Sequence, residues 1–352
     1  MKSRVIKIDP SFPKKEEIKK AAETLREGGL VVIPTETVYG IAANMSNQKA
    51  LRRLYEVKER PKDKPFSLHL PLKEDVEKYA VDISPAAYRL MDKFWPGPLT
   101  LVLKSKDDGK VGVRIPNHRI TLSIILEADV PVVCPSANLS GKAAPVSAEE
   151  ALKELDGLVD LVVDAGKTSL GRESTVVDAS QSPVVILRQG VIAADQIKMV
   201  VEKKMILFVC TGNSCRSVMA KALMEKKLKE AFRRDIEVSS AGITMLGGMG
   251  ASEATKDVLR QEGIDVSMHS SKRVSEEMVR GADIILVMEK LHEKRLLELA
   301  PEAKNRLFLL KEFAKIDDND LDIEDPIAKP AEFYARTLET IKGAIERIVK
   351  II

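Results

Sequence analysis

The segment from Met205 to Ser217 constrains the fold more than any other part of the chain. A short apolar run at 205–209, typical of a buried strand, leads directly into Cys-Thr-Gly-Asn-Ser-Cys-Arg-Ser, and a helical pattern follows. A loop this short can curl so that its backbone N–H groups point inward, and the helix adds N-terminal donors and the positive end of its dipole. The sequence therefore predicts an oxyanion-binding loop made of Thr211, Gly212, Asn213, Ser214 and Cys215.

The residues that flank this loop predict a cysteine-dependent phosphatase. The loop field favours the thiolate of Cys210, which is the form that attacks phosphorus, and Arg216 offers a planar fork for phosphoryl oxygens. The Ser217 hydroxyl can support the sulfur. Asp325, in an Asp-Pro pair ahead of the last predicted helix, is the best candidate for the acid that protonates the leaving group.

The alternation of apolar runs and helical patterns predicts an α/β protein with two domains. In the first domain several predicted strands follow one another without a helix between them, which favours a twisted mixed open sheet. From residue 205 the strand–helix alternation is regular and favours a doubly wound parallel sheet. We place the domains at 1–195 and 205–352, joined by a linker at 196–204.

Composition excludes several classes of protein. The chain of 352 residues carries 56 Lys and Arg against 53 Asp and Glu, a net charge of +3, so generic nucleic-acid binding is not expected. The three cysteines do not make a disulfide framework and fit a reducing compartment. No apolar run approaches the roughly 18 residues that cross a bilayer. We expect a cytoplasmic protein without a membrane partner.

The second domain resembles the low-molecular-weight protein phosphatase family. The resemblance rests on Cys-x5-Arg-Ser after a strand, Ser240-Ala241-Gly242, Gly263-Ile264-Asp265 with His269, and the late Asp-Pro. It implies that Cys210 is the nucleophile, Arg216 the transition-state clamp, Ser217 the thiol-supporting hydroxyl and Asp325 the acid. Asn213, Ser240 and His269 would form a supporting network, and no cofactor is implied.

Two departures from that family bear on the substrate. Tyrosine-directed members have a bulky apolar residue where Ser214 stands and aromatic residues where this chain has 327–329. A small hydroxyl residue in the loop is similar to the protein-arginine phosphatase branch, so phosphoarginine ranks ahead of phosphotyrosine as the substrate. Two buried structural thiols or a metal pair are the alternatives for Cys210 and Cys215, but His269 and His292 complete only a poor zinc set.

The first domain carries a dispersed set of polar motifs around predicted strands. Pro-Thr-Glu-Thr-Val-Tyr-Gly at 34–40 is followed by the basic run Lys58, Arg60 and Lys64, which could neutralise a triphosphate or simply be a solvated helix end. Later segments are Val-Arg-Ile-Pro at 113–116, Pro-Ser-Ala-Asn at 135–138, Glu-Ser-Thr-Val-Val-Asp at 173–178 and Leu-Arg-Gln-Gly at 187–190.

In this order the motifs resemble the threonylcarbamoyl-AMP synthase family, over nearly all of residues 1–195. The resemblance implies ATP-binding roles for Lys58, Arg60, Lys64, Ser136, Asn138 and Arg188. It implies threonine-binding roles for Thr37, His69, Arg114 and Ser174. The substrates would be L-threonine, bicarbonate and ATP, with Mg²⁺ screening the phosphates, and a downstream tRNA-modifying transferase would use the product to make the t6A base.

One alternative for the first domain stays open at this stage. The first domain could instead be a non-catalytic nucleotide- or RNA-binding module that regulates a protein-tyrosine phosphatase. His118 and His292 have no partner in the sequence and are interpreted as surface or core histidines. No metal-ligand set stands out.

Overall fold

The computed structural model describes residues 2–61, 63–244 and 248–352, and the chain forms two compact units that divide between Val200 and Val201. Among the described residues, no helix is both long and apolar enough to cross a membrane. Each unit has its own sheet and its own buried apolar clusters.

The first unit is built on a mixed sheet, as the runs of consecutive strands predict. Its strand order is β1-β9-β2-β3-β8-β4-β7-β6-β10-β11, with β5 paired to β6, and parallel and antiparallel neighbours alternate irregularly. The strands are β1 Arg4–Lys7, β2 Val31–Ile33, β3 Gly40–Asn44, β4 Leu68–His69, β5 Ala80–Val81, β6 Leu99–Ser105, β7 Lys110–Arg114, β8 Val132–Val133, β9 Leu161–Asp164, β10 Thr175–Asp178 and β11 Val185–Arg188.

Amphipathic helices cover this sheet. They are α1 Lys15–Arg26, α2 Gln48–Lys58, α3 Pro85–Phe94, α4 Arg119–Ala128, α5 Ala148–Leu155 and α6 Ala194–Val201. Helix α1 buries Ile18, Ala21, Ala22 and Leu25, the stripe expected from their three-to-four spacing. His118 caps the start of α4 through Nδ1, 3.5 Å from the backbone nitrogen of Thr121, so this histidine has a structural partner.

The second unit is a four-stranded, all-parallel sheet in the order β13-β12-β14-β15. The strands are β12 Lys204–Cys210, β13 Ile236–Gly242, β14 Ile284–Val287 and β15 Leu307–Leu309. The helices are α7 Arg216–Glu230, α8 Glu253–Gln261, α9 Glu276–Gly281, α10 Lys290–Leu299, α11 Leu310–Phe313 and α12 Ala331–Ile348.

Separate apolar clusters cover the two faces of this parallel sheet. One includes residues of α7 and the α12 stripe of Tyr334, Leu338, Ile341, Ile345 and Ile348, and the other includes residues of α9 and α10. The predicted doubly wound arrangement is therefore confirmed. Because the strands are parallel, their carboxyl ends meet at one edge, where the loop after β12 lies.

The segment predicted as a linker, 196–204, is largely regular structure. Helix α6 continues to Val201 and buries Ile197, while β12 already begins at Lys204. The alternation of charged and apolar residues in this segment indicated a helix or a tether. The first part of the segment belongs to α6, which packs in the first unit through the buried Ile197.

Candidate active sites

The loop after β12 forms a cup around the sulfur of Cys210. The backbone N–H of Asn213 donates to Cys210 Sγ at 3.3 Å, and the Ser217 hydroxyl lies 3.0 Å from the same sulfur. Helix α7 begins at Arg216, so its first turn points its free N–H groups toward the loop. Cys210 is only 3% exposed, which keeps its sulfur among these donors and away from bulk water.

Asn213 holds the shape of this loop. Its backbone adopts φ 51°, the left-handed region that asparagine tolerates better than most residues. Its Oδ1 accepts from the backbone N–H of Lys272 at 2.9 Å, which fixes the amide so that Nδ2 donates to the Ser217 and Ser240 hydroxyls. Since Ser217 accepts there, its own proton is free to point at Cys210 Sγ.

Two further residues, Gly242 and His269, fix the position of the loop. An added Cβ on Gly242, at the end of β13, would lie 2.8 Å from the Thr211 carbonyl oxygen and 2.9 Å from the Asn213 nitrogen. His269 places Nε2 2.7 Å from the Asn213 carbonyl oxygen. The predicted supporting positions Asn213, Ser240 and His269 therefore come together around one turn of the chain.

Cys215 and Ser214 occupy the outer wall of the loop. Cys215 Sγ lies 3.3 Å from the Ser252 hydroxyl and 4.0 Å from the Tyr334 hydroxyl, inside the apolar cluster of α7 and α12. Burial and the nearby Cys215 raise the pKa of Tyr334. Cys215 thus packs as a structural thiol, whereas Ser214 is half-buried beside it.

Arg216 is fully buried and almost entirely committed to protein acceptors. Nη1 donates to the Ile323 carbonyl at 2.6 Å and pairs with Glu289 Oε1 at 3.1 Å, while Nη2 donates to Thr211 Oγ1 at 3.0 Å and pairs with Asp325. Within the described part of the chain, the Nε of Arg216 is buried without a hydrogen-bond partner. A buried guanidinium N–H without an acceptor fits a site that receives an oxyanion.

Sequence reasoning missed Glu289, and it left His292 open as a surface or core histidine, of which the structure shows the core one. Glu289 pairs with Arg216, and His292, interpreted as a surface or core histidine, is fully buried with Nε2 3.0 Å from Thr211 Oγ1. Glu289 lies two residues after β14 and His292 lies in the first turn of α10, close to the carboxyl end of β14, which pairs with β12. That position in a parallel sheet was the available signal.

The first unit contains a polar cavity of about 300 Å³. The predicted ligand residues that line it are Arg60, His69, Arg114, Ser136, Ser174 and Arg188. Lys110 and Glu173, which sequence reasoning passed over, line it as well. Basic groups from distant parts of the chain therefore line one cavity.

Lys58 and Asn138 lie behind the cavity wall and not on it. The Lys58 ammonium donates to the Ser136 carbonyl at 2.7 Å, to Asn138 Oδ1 at 3.1 Å and to the Asn138 carbonyl. Burial, with a smaller contribution from Arg60, lowers the pKa of Lys58 to about 8. Through these contacts Lys58 fixes the position of the loop that carries Ser136.

Two other predicted ligands also lie off the cavity lining. Lys64 is exposed, and its carbonyl accepts from Arg60 Nε at 2.9 Å, which aims the Arg60 guanidinium. Thr37 is fully buried, and its hydroxyl accepts from Arg114 Nη2 at 2.9 Å. The motif spacing did not distinguish such supporting contacts from contacts to a ligand.

Arg114 is held by a buried carboxylate that the sequence did not single out. Nη2 pairs with Glu36 Oε1 at 2.6 Å, both side chains being under 10% exposed, and Nε donates to the Gly97 carbonyl at 3.2 Å. Nearby, burial and then Arg114 lower the pKa of His69 to about 3, so this imidazole is neutral. Among the described residues, His69 Nδ1 is buried without a hydrogen-bond partner.

Arg188 closes another side of the cavity. Its guanidinium donates to the Ser174 carbonyl and hydroxyl and pairs with Glu173 at 2.8 Å, while Ser174 also contacts the Thr100 hydroxyl at 2.9 Å. The part of the structure that is described has no group of three His, Cys, Asp or Glu side chains placed to hold a metal ion.

The fold and these two sites define a chain with an α/β unit that holds a cavity lined by basic residues, followed by a unit with a cysteine-containing loop after a parallel strand. The Sua5/YciO/YrdC family model, described as telomere recombination, matches residues 23–190. The model for low-molecular-weight phosphotyrosine protein phosphatase matches residues 205–352. The chain therefore belongs to the Sua5/YciO/YrdC family through its first unit and to the low-molecular-weight phosphatase family through its second.

Individual relatives agree with this division. The chain is 40% identical over 194 residues to the threonylcarbamoyl-AMP synthase of Pyrococcus abyssi, covering 53% of this chain and 57% of that protein. It therefore spans little more than half of that relative. It is 36% identical to a putative threonylcarbamoyl-AMP synthase of Methanocaldococcus jannaschii, over 56% of this chain and 98% of that protein.

The second unit is 39% identical over 145 residues to a protein-arginine-phosphatase of Geobacillus stearothermophilus, covering 41% of this chain and 93% of that protein. Among solved structures, that of P. abyssi Sua5 complexed with L-threonine has a TM-score of 0.55 at 27% identity, over 87% of this chain and 99% of that chain.

Proposed function

We propose that the second unit is a cysteine-dependent phosphatase. The observation that carries this proposal is the cup around Cys210 Sγ, with donors from Asn213 and Ser217 and the buried Arg216. The unpaired Nε of Arg216, within the described residues, is a ready donor for a phosphoryl oxygen. No cofactor is required for this chemistry.

The reaction would run in two displacements at phosphorus. The Cys210 thiolate forms an S–P bond while the bond to the leaving group breaks, and Asp325 gives its proton to that leaving group. Asp325 then takes a proton from water, whose oxygen attacks phosphorus, and inorganic phosphate leaves with the sulfur restored as thiolate. A bound phosphoryl group competes with Asp325 and Glu289 for Arg216, which releases Asp325 to take up a proton from solvent and then to act as the acid.

We favour phosphoarginine over phosphotyrosine as the substrate. Ser214 leaves room in the loop wall, Ile327 stands where an aromatic residue would stack on phosphotyrosine, and the Glu289 carboxylate suits a cationic guanidine. The protein-arginine-phosphatase relative is consistent with this choice. The protein that carries the phosphorylated side chain is a separate question.

The test compares turnover of phosphoarginine, phosphotyrosine and p-nitrophenyl phosphate by the wild type and Cys210→Ser. Activity that survives in Cys210→Ser would exclude the thiolate mechanism. Ser214→Ile should lower phosphoarginine turnover at least about tenfold while sparing p-nitrophenyl phosphate, because the added bulk narrows the loop wall. Unchanged phosphoarginine turnover would remove Ser214 as the selector.

For the first unit we propose synthesis of threonylcarbamoyl-AMP from L-threonine, bicarbonate and ATP, with release of pyrophosphate and water. Arg60 and Arg188 supply positive charge for the triphosphate, and Arg114 suits the threonine carboxylate. Cationic side chains that converge on one cavity are the supporting observation. The described residues offer no protein cluster for Mg²⁺, so we propose that Mg²⁺ enters bound to the ATP phosphates.

The product would serve a tRNA-modifying transferase that makes t6A. The rival proposal is a nucleotide- or RNA-binding module without catalysis, and a pyrophosphate-release assay separates the two. Synthesis predicts release only when ATP, threonine and bicarbonate are all present. Binding of ATP with no such release would support the rival.

A further inference from the structure

A buried relay in the second unit connects Glu289, His292 and Thr211. The His292 side chain is 0% exposed, and its Nδ1 accepts the backbone N–H of Glu289 at 3.1 Å. An imidazole nitrogen that accepts a hydrogen bond carries no proton, so the single ring proton lies on Nε2. Burial, reinforced by Arg216 and opposed by Asp325, lowers the pKa of His292 to about 4, which keeps the ring neutral.

The Nε2–H of His292 donates to Thr211 and not to a carboxylate. Thr211 Oγ1 lies 3.0 Å from Nε2, whereas Glu289 Oε2 lies farther away at 3.4 Å. The ring is therefore a fixed donor to the first residue of the phosphate loop.

Thr211 Oγ1 consequently accepts two hydrogen bonds, one from His292 Nε2 and one from Arg216 Nη2, each at 3.0 Å. A hydroxyl oxygen has two lone pairs, so both are occupied, and the Thr211 proton must point away as a donor. The four N–H bonds on Nη1 and Nη2 of Arg216 already point at Ile323, Glu289, Thr211 and Asp325. Before a ligand displaces these partners, Nε is the one Arg216 N–H without an acceptor among the described residues, so an incoming oxyanion gains from a second donor beside it.

We propose that His292 is a positioning residue that turns the Thr211 hydroxyl outward, as a hydrogen-bond donor to a phosphoryl oxygen held beside Arg216. This inference rests on the proposed phosphatase function of the second unit. It assigns a role to Thr211 beyond loop geometry, and it explains why a histidine with no catalytic proton to give is buried next to the site.

The experiment is a double-mutant cycle with p-nitrophenyl phosphate and phosphoarginine as substrates and vanadate as inhibitor. Thr211→Val keeps the shape of the side chain and removes its hydroxyl, while His292→Leu removes the ring donor. Each should lower kcat/KM and weaken vanadate inhibition about tenfold or more, because one donor to the transferring group is lost or misdirected. The double variant should be no worse than Thr211→Val alone, because His292 acts through that hydroxyl.

Conservative variants separate positioning from packing. Thr211→Ser retains the hydroxyl, and His292→Gln can place an amide N–H near the position of Nε2, so both should recover most of the activity. The proposal would be overturned if the fold losses of kcat/KM in Thr211→Val and His292→Leu multiplied in the double variant. A fully active Thr211→Val would also overturn it. A loss with phosphoarginine alone would also overturn it, because p-nitrophenolate needs no proton and the phosphoryl oxygens are common to both substrates.

The outcome can be told apart from failure of the phosphatase function itself. If the wild type turns over neither substrate, or Cys210→Ser matches it, the phosphatase proposal fails and the relay fails with it. If the wild type is active and Cys210→Ser is not, the cycle tests the relay alone. Should His292→Leu not fold, Thr211→Val and His292→Gln still decide the question.

Discussion

At the scale of single residues, side chains behind each site decide what the side chains facing it can do. Lys58 and Glu36 in the first unit, and Asn213 and His292 in the second, contact the functional groups and not the space where a substrate would lie. Such contacts have no sequence signature of their own. The Lys-x-Arg spacing of Lys58 and Arg60 predicted two residues that bind a ligand. Lys58 is instead buried and supports a neighbouring loop.

The Glu36–Arg114 pair yields a quantitative prediction. Glu36→Gln leaves a buried guanidinium without its counter-charge, so we expect the first unit to lose about 3 kcal/mol of unfolding free energy or more. The KM for threonine should rise as Arg114 loses its fixed orientation. Trp95 is the single tryptophan of the chain and lies in the first unit, so its fluorescence during urea unfolding reports on that unit.

The matched control is Glu23→Gln on α1. Its pair with Lys19 spans 3.8 Å with side chains 44% and 58% exposed, and such pairs contribute about 0–1 kcal/mol. If Glu36→Gln and Glu23→Gln lowered the unfolding free energy by the same small amount, the assignment of Glu36 as the buried partner that holds Arg114 would be contradicted.

At the scale of elements, β13 packs so closely against the phosphate loop that Gly242 leaves no room for a side chain. Gly242→Ala should lower phosphatase kcat/KM more than about tenfold, because the added Cβ would push the Thr211 and Asn213 backbone away from Cys210. Steady-state turnover of p-nitrophenyl phosphate measures the effect.

Gly343 in α12 offers the control, since an added Cβ there meets nothing within 4 Å. Gly343→Ala should keep full phosphatase activity and stabilise the second unit by about 0.5–1 kcal/mol, as alanine does in a helix interior. A Gly242→Ala protein as active as Gly343→Ala would show that the loop tolerates the displacement.

The helices and strands differ in how clearly the amino-acid sequence predicts them. Strand β12, the loop and α7 follow from one contiguous pattern, and the α12 stripe follows from helical periodicity. Strand β3, Gly-Ile-Ala-Ala-Asn, has no clear sequence signal because its small residues carry little strand preference, and pairing with β2 and β8 makes it a strand. Glu289 was missed because its partner, Arg216, is distant in the chain.

At the scale of the whole molecule, buried neutral histidines couple stability to pH. The pKa of His69 is about 3 in the folded first unit, against an ordinary value of 6.5, and the pKa of His118 is also lowered by burial. Above pH 6.5 neither state binds the proton. As the pH falls below 6.5 only the unfolded chain takes it up at His69, so this stability is present above 6.5 and is lost on acidification.

We therefore expect His69 alone to reduce the unfolding free energy of the first unit by about 2 kcal/mol between pH 7.5 and pH 5. Trp95 fluorescence in urea at a series of pH values measures it. His69→Gln, which cannot titrate, should flatten the profile by that amount. If the unfolding free energy of His69→Gln fell with pH as steeply as that of the wild type, the His69 imidazole would take up its proton equally well in the folded and the unfolded chain.

The crowding of carboxylates and carbonyls around Arg216 also sets which small ions can enter the phosphate loop. A singly charged, weakly hydrated ion such as chloride gains too little from one guanidinium to displace both Glu289 and Asp325. A doubly charged tetrahedral ion can satisfy the unpaired Nε, the loop amides and the first turn of α7 together. Chloride at moderate salt concentrations should therefore leave the loop free for phosphoryl groups, while accumulated inorganic phosphate should slow turnover.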